Sequence, residues 1–392
     1  MISEFDKPFK RSRFVYIKEY SKLIGKESLG DIIPLWVADM DFKTPQVILD
    51  ALQDLGAHGI FGYYVPNPSV LESIAKWILE RQNWEISTKW IRLTPTVMYT
   101  VVSAIRALTK EGDPVLVFQP VYSHFADVIH ENHRKMVVSE LRLQNGRYEM
   151  DFEDLEKKIR EENVKTILFC SPHNPGGRVW TKDELLKLAA IVEKFGIRVI
   201  SDEIHADFVY SGHRHIPFCT LSEYTKENSI ICFAPTKSFN LAAIQGAGCI
   251  IPNPALRTAV KNCGYQNGVY GPSIAGAVAM EAAYRSGGPW FNALLKYLDQ
   301  NIQLVEKELS GTPLHVMHPE GTYLLWIDCR ELPIPSGKSL QSFFIEKAHV
   351  WLSEGSEFGK GGEGFVRMNI ATSRSTLQEA LLRIKSAVHS SK

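Results

Sequence analysis

Three apolar runs, each ending in a turn that carries a polar residue, constrain this chain more than any other feature. Thr166-Ile167-Leu168-Phe169-Cys170 leads into Ser171-Pro172-His173-Asn174-Pro175-Gly176-Gly177, and Ile197-Arg198-Val199-Ile200 leads into Ser201-Asp202-Glu203-Ile204-His205. Ile230-Ile231-Cys232-Phe233 leads into Ala234-Pro235-Thr236-Lys237. Runs this short and this apolar read as buried strands of a parallel sheet. Asn174, Asp202 and Lys237 stand 28 and 35 residues apart, and each gap fits one crossover unit. An asparagine, an acid and a lysine thus collect at the carboxyl edge of one sheet, where crevices form in open α/β folds.

Flanking segments extend the pattern. Ile91-Arg92-Leu93-Thr94 reads as a strand followed by a helix from about Val97 to Thr109. The N–H groups of Val97 and Met98 at that helix start form an anion site, to which Thr96 adds a hydroxyl. Val115-Leu116-Val117-Phe118 is another strand, and the turn after it exposes Tyr122. Asp151–Glu161 and Thr181–Phe195 have helical spacing, the second opening on the Thr181/Glu184 capping box. Glycines between helix patterns at Pro45–His58 and Val70–Gln82 mark a turn that presents Tyr63. Gly246–Ile251 reads as one more strand. Beyond it, a long helix from about Ala283 to Ser310 and strands at Gly321–Asp328 and Phe365–Ala371 suggest a second unit.

The expected architecture is α/β: a three-layer α/β/α large domain with a mostly parallel sheet over 46–284, and a smaller α+β domain from 1–45 and 285–392. With 392 residues, 45% of them hydrophobic, the chain has ample material for such cores. Lys plus Arg equals Asp plus Glu at 44 each, which gives no reason to expect nucleic acid or an anionic membrane as the main partner. The charged start, Met1-Ile2-Ser3-Glu4-Phe5-Asp6-Lys7, lacks a signal-peptide core, and no apolar run is long enough to span a bilayer, so a cytoplasmic protein is expected. The six cysteines form no close pairs and read as reduced, buried thiols. Near pairs of histidine, such as His213 with His215, bring no third ligand of a zinc pattern, so no metal is expected.

Five words in order, Trp36-Val37-Ala38-Asp39-Met40-Asp41-Phe42, Phe61-Gly62-Tyr63, Pro172-His173-Asn174-Pro175, Ser201-Asp202-Glu203-Ile204-His205 and Lys237-Ser238-Phe239-Asn240, together resemble the fold-type I pyridoxal 5'-phosphate (PLP) enzymes of the class I/II aminotransferase superfamily. Within them the five words look like the cystathionine β-lyase branch, of MalY/PatB type. Similar motifs run from about Trp36 to Arg374. The resemblance implies that Lys237 holds the cofactor covalently at rest and later removes the substrate α-proton. Asp202 would keep the ring nitrogen protonated, Tyr122 would stack on the ring, and Asn174 and His205 would bond its phenolic oxygen. The phosphate would rest on Thr96, Val97, Met98 and Thr236, with Tyr63 reaching across the interface of a homodimer. Arg367 would grip the substrate carboxylate, and the backbone of Val37 and Ala38 would line the substrate entrance.

The sequence departs from the pattern twice. Thr96 stands where the family usually has glycine, and Gln245 where many superfamily members carry a phosphate-binding arginine. The implied activity is carbon–sulfur β-elimination from L-cystathionine or related S-substituted cysteines, giving a thiol, pyruvate and ammonia. Transamination uses the same site, and a PLP-binding regulatory partner protein is the non-enzymatic alternative. Ser201, Glu203 and Asp207 receive no role at this level.

Overall fold

The computed structural model describes residues 2–8, 18, 31–334 and 337–390, so much of the leader before Asp31 lies outside the described residues. A seven-stranded sheet organises the chain, in the spatial order Ile91–Thr94, Ala247–Ile250, Ser229–Phe233, Arg198–Asp202, Thr166–Cys170, Pro114–Gln119, Lys135–Glu140. Only Ala247–Ile250 runs against its neighbours; the remaining pairings are parallel.

Burial explains why these strands read as continuous apolar runs. Successive residues face opposite sides, and both sides are covered. Leu168, Ile200, Ile230 and Cys249 pack into one cluster with Val97, Val101 and Ile105 of helix Val97–Leu108. Ile167, Val199 and Ile231 pack into the other, with Leu155 and Ile159 of helix Phe152–Glu162 and Leu185 and Leu188 of helix Lys182–Phe195. Each such side chain contributes about 1.5–3 kcal/mol on burial. Both crossover helices begin where the sequence signals: Asp151 accepts the Asp154 N–H, and Thr181 and Glu184 close a reciprocal capping box.

A second sheet is antiparallel, in the order His315–Met317, Leu324–Asp328, Phe365–Asn369, Ser353–Glu354. Ile33 and Pro34 of the leader pair in parallel with Val350 and Trp351, which fastens the leader to this second unit. Gly177 sits where the two sheets' loops meet. Its φ is +65°, and a Cβ there would lie 3.0 Å from Pro319 Cβ, so only glycine fits without strain.

One expected element is corrected. In place of a single helix from about Ala283 to Ser310, there are two, Ile274–Ser286 and Gly288–Leu309. Pro289 has no N–H to continue the first helix and instead opens the second. Gly287 lies between them against the Phe239 ring, where a Cβ would come within 2.4 Å.

Candidate functional site

Five strand ends deliver polar side chains to the carboxyl edge of the large sheet. Cys170 pairs with Asp202, and Asp202 with Cys232, so these strands finish level with one another. The following turns then carry Asn174 and Lys237 over the same edge. Tyr122 follows Pro114–Gln119, and Thr96 follows Ile91–Thr94.

Lys237 lies in the short helical turn Pro235–Ser238, and its Nζ donates to the Ala38 carbonyl at 2.7 Å. The residue keeps partial solvent access, yet loss of hydration and the Arg367 cation pull its pKa down to about 8, against the pull of Asp39 and Asp202. Asp202 is buried; burial raises its carboxyl to about 6, with the Ile204 N–H and Lys237 opposing. His205 is buried beside Tyr323, and burial with the Lys237 and Arg367 charges lowers it to about 3, so the imidazole is neutral at physiological pH. Its Nδ1 is buried without a hydrogen-bond partner. Tyr122 is half-buried and feels both Asp202 and Arg367; its ring stacks on His124 at 5.0 Å.

Arg367 comes from the second sheet, in strand Phe365–Asn369, and is 6% exposed. Its Nη1 donates to Asn174 Oδ1 at 3.0 Å and its Nη2 to the Trp36 carbonyl at 2.9 Å. The guanidinium lies 4.7 Å from the Phe358 ring centre. Among the described residues it has no ion pair with a carboxylate, and its buried Nε has no partner. It is therefore not the arginine of an ordinary surface salt bridge.

Thr96 is extended (φ −144°), so the position does not require glycine. As N-cap of helix Val97–Leu108 its hydroxyl oxygen accepts the Tyr99 N–H at 3.0 Å, which leaves the hydroxyl proton to donate outward. Thr236 is half-buried in the lysine turn. Tyr63 stands apart from this cluster, fully exposed within the run Ile60, Phe61, Tyr63 and Val65. Val37 and Ala38 lie above Lys237, but their carbonyls bond within the chain, Val37 to Asn369 and Ala38 to Lys237 and Tyr323.

Several residues that sequence reasoning passed over build the frame. Asn240 (φ +57°) accepts the Met40 N–H and donates to the Met40 and Phe42 carbonyls, which clamps the leader to the lysine turn. Asp207 accepts from Ser238 Oγ and Trp77 Nε1, fixing that turn from behind. Glu203 accepts from Ser201 Oγ and the Phe218 N–H and meets His215 Nε2 at 2.7 Å. Asn369 could have been found in the sequence, since it follows Arg367 by two positions and so shares its face of the strand.

Residues 30–384 match the family model Aminotransferase class I and II. The chain is 38% identical over 360 residues to cystathionine beta-lyase PatB of Bacillus subtilis, an alignment covering 91% of this chain and 93% of that one. Among solved structures it is similar to cystalysin from Treponema denticola, which contains a pyridoxal 5'-phosphate cofactor, with a TM-score of 0.93, 35% identity, and 99% of each chain covered. It is also similar to the PLP-bound C-S lyase from Staphylococcus hominis, with a TM-score of 0.89, 31% identity, and 98% of each chain covered.

Proposed function

The chain belongs to the aminotransferase class I and II family, and on that premise we propose that it is a PLP-dependent carbon–sulfur β-lyase acting on L-cystathionine or other S-substituted cysteines. One observation carries the reading. A lysine near neutrality, a buried aspartate at the next strand end and an arginine with no carboxylate partner among the described residues converge in a single cluster. The Bacillus relative is a cystathionine beta-lyase, and the Staphylococcus structure is that of a C-S lyase.

The residues present fit the cofactor. The orphaned His205 Nδ1 and the helix start at Val97 and Met98 are donors or acceptors without internal use, as a polar ring and a phosphate require. Bound there, PLP would make an amino acid's α-carbon acidic by delocalising the electron pair left behind when the proton departs. Lys237 would hold it covalently. Asp202 would face the ring nitrogen, whose positive charge favours the carboxylate and offsets the upward push of burial. Tyr122 would supply an aromatic face, Asn174 and His205 would serve the phenolic oxygen, and Thr96, Val97, Met98 and Thr236 the phosphate. With Gln245 in place of an arginine, phosphate binding falls on these neutral groups.

Arg367 would receive the substrate carboxylate through two parallel hydrogen bonds, a geometry that a lysine cannot offer. Val37 and Ala38 would border the entrance. With the cofactor bound, the neutral amine of Lys237 would take the substrate α-proton, and a thiolate would leave the β-carbon. We further propose a cytoplasmic homodimer in which Tyr63 reaches the neighbouring subunit's phosphate site. Support comes from the exposed apolar run around Tyr63 and from six free cysteines. Among the described residues no helix is long and apolar enough to cross a membrane. The separate seven-stranded and four-stranded sheets support a division into a large domain of 46–284 and a small one of 1–45 with 285–392.

The test is release of pyruvate and free thiol from L-cystathionine by the PLP-loaded protein with no keto acid present, with Lys237→Ala as control. Release that vanishes in the variant supports the lyase. Turnover only when a keto acid is added assigns the chain to the aminotransferases instead.

A further inference from the structure

The carbonyl that receives the Lys237 amine is built with more care than a loop carbonyl needs. A tight turn, in which the Asp39 N–H donates to the Val37 carbonyl at 2.9 Å, is centred on Ala38 and leaves the Ala38 C=O to point away from its own segment. Asn369 Nδ2 donates to the carbonyls on either side, Val37 at 2.6 Å and Asp39 at 2.5 Å. The Ala371 N–H donates to Asn369 Oδ1 at 2.8 Å and so fixes which way that amide faces. Into the Ala38 oxygen itself come two donors, Lys237 Nζ at 2.7 Å and Tyr323 Oη at 3.0 Å.

Tyr323 is wholly buried, with its ring edge-on to Phe208 at 4.9 Å and to His205 at 6.0 Å. Its position is set by the chain just before it, where the Glu320 and Gly321 N–H groups donate to the Gly177 carbonyl and the Thr322 N–H donates to that of Phe208. The acceptor is therefore held by groups from the leader and the second sheet, while the amine comes from the first.

We propose that the Ala38 carbonyl orients the Lys237 amine for removal of the substrate α-proton, and that Tyr323, acting through this carbonyl, is a positioning residue for the catalytic base. The inference rests on Lys237 being that base. A neutral amine that donates one N–H to Ala38 has its lone pair confined to directions away from the leader. When the lone pair takes the α-proton, the C–H electron pair stays on carbon and the ammonium keeps the same acceptor. A carbonyl oxygen has two lone pairs, so it can serve Tyr323 and Lys237 together. Sharing also weakens its hold on an ammonium, which keeps the amine available as a base.

Removing the Tyr323 hydroxyl leaves the carbonyl wholly to Lys237, so the ammonium is better stabilised and the amine stays protonated to higher pH. In PLP-loaded Tyr323→Phe, KM for L-cystathionine should change less than twofold, and kcat should fall about tenfold. The kinetic isotope effect with α-deuterated substrate should rise, because proton removal becomes more fully rate-limiting. In the cofactor-free full-length protein, covalent capture of added PLP requires the neutral amine, and its rate-against-pH midpoint should move upward. An unchanged isotope effect together with an unchanged capture midpoint would overturn the proposal. If Tyr323→Phe does not yield folded protein, Asn369→Ser, which frees the flanking Val37 and Asp39 carbonyls and so loosens the orientation of the Ala38 carbonyl, should lower kcat and raise the isotope effect with little change in KM, and an unchanged isotope effect there overturns the proposal. Failure of the underlying reading looks different: PLP-loaded Lys237→Ala would then retain α-proton exchange with deuterated water.

Discussion

Arg367 and Asn174, 193 positions apart, meet through a 3.0 Å hydrogen bond that joins the second sheet to a loop of the first. That bond places the guanidinium beside the residues leaving the strand ends, and it occupies only one of the three guanidinium nitrogens. Nη2 bonds a backbone carbonyl and Nε is unpaired, so the group is held in place while retaining capacity for an anion.

Arg367→Lys tests this arrangement. An ammonium keeps the charge but loses the planar pair of donors. KM for L-cystathionine should rise roughly 10- to 100-fold, with a smaller fall in kcat, since the lost interaction is made in ground and transition states alike. A KM within twofold of the parent would remove Arg367 from the carboxylate site.

The pH dependence of kcat should follow the Lys237 amine, the proposed base, which is active unprotonated and which burial and the Arg367 cation lower to about 8. As pH falls through that value the base is lost, so kcat should climb from pH 6 to 9 without a decline in between. Asp202, raised to about 6 by burial, is drawn back down when it faces the positive ring nitrogen and adds no step in that range. Steady-state rates of thiol release across that range give the profile, and a maximum at pH 6 contradicts the assignment.

Glu320 carries a structural prediction. It accepts from Arg178 Nε at 2.9 Å and from the Val179 N–H at 2.8 Å, and Arg178 and Glu320 are 2% and 7% exposed. Arg178 also bonds Glu184 and the Tyr148 carbonyl, so the pair ties the Asn174 loop to the second unit. Removing one charge of a buried pair costs about 3–5 kcal/mol when the other is left uncompensated, but Arg178 keeps the Glu184 carboxylate at 2.8 Å. Denaturant titration of Glu320→Gln should therefore show a smaller loss of about 1–3 kcal/mol, whereas replacing an exposed acid such as Glu223 should cost less than about 0.5 kcal/mol.

His205 supplies a stability test in acid. Its folded pKa of about 3 lies below the ordinary 6.5, so the unfolded chain binds the proton more tightly. The folded state keeps its advantage above pH 6.5 and loses it as pH falls toward 3, by about 2 kcal/mol between pH 7 and 5. In cofactor-free full-length protein, His205→Asn should show a smaller drop over that interval. Equal drops in parent and variant would falsify the neutral buried assignment.

Much of the site is legible in the chain because a parallel strand and its outgoing turn are local in sequence. Asn174, Asp202 and Lys237 each follow an apolar run, and their spacing alone sends them to one sheet edge. The crossover helices are equally local, since Asp151 and Thr181 cap them with side chains three residues from their partners. The split at Gly287 was also encoded locally, in Pro289, but the apolar periodicity on either side masked it.

What the sequence by itself determined is the set of elements and the order in which they deliver functional groups, because periodicity, caps and turns act over a few residues. The meeting of distant groups was decided only by the tertiary structure. Ala38, Lys237 and Tyr323 share one oxygen although they lie in the leader, the large sheet and the second unit. No local pattern records that a carbonyl is turned outward by a tight turn or that a carboxylate has been stripped of water. The lowered lysine, the raised aspartate and the neutral histidine arise from burial, and burial is a property of the packed whole.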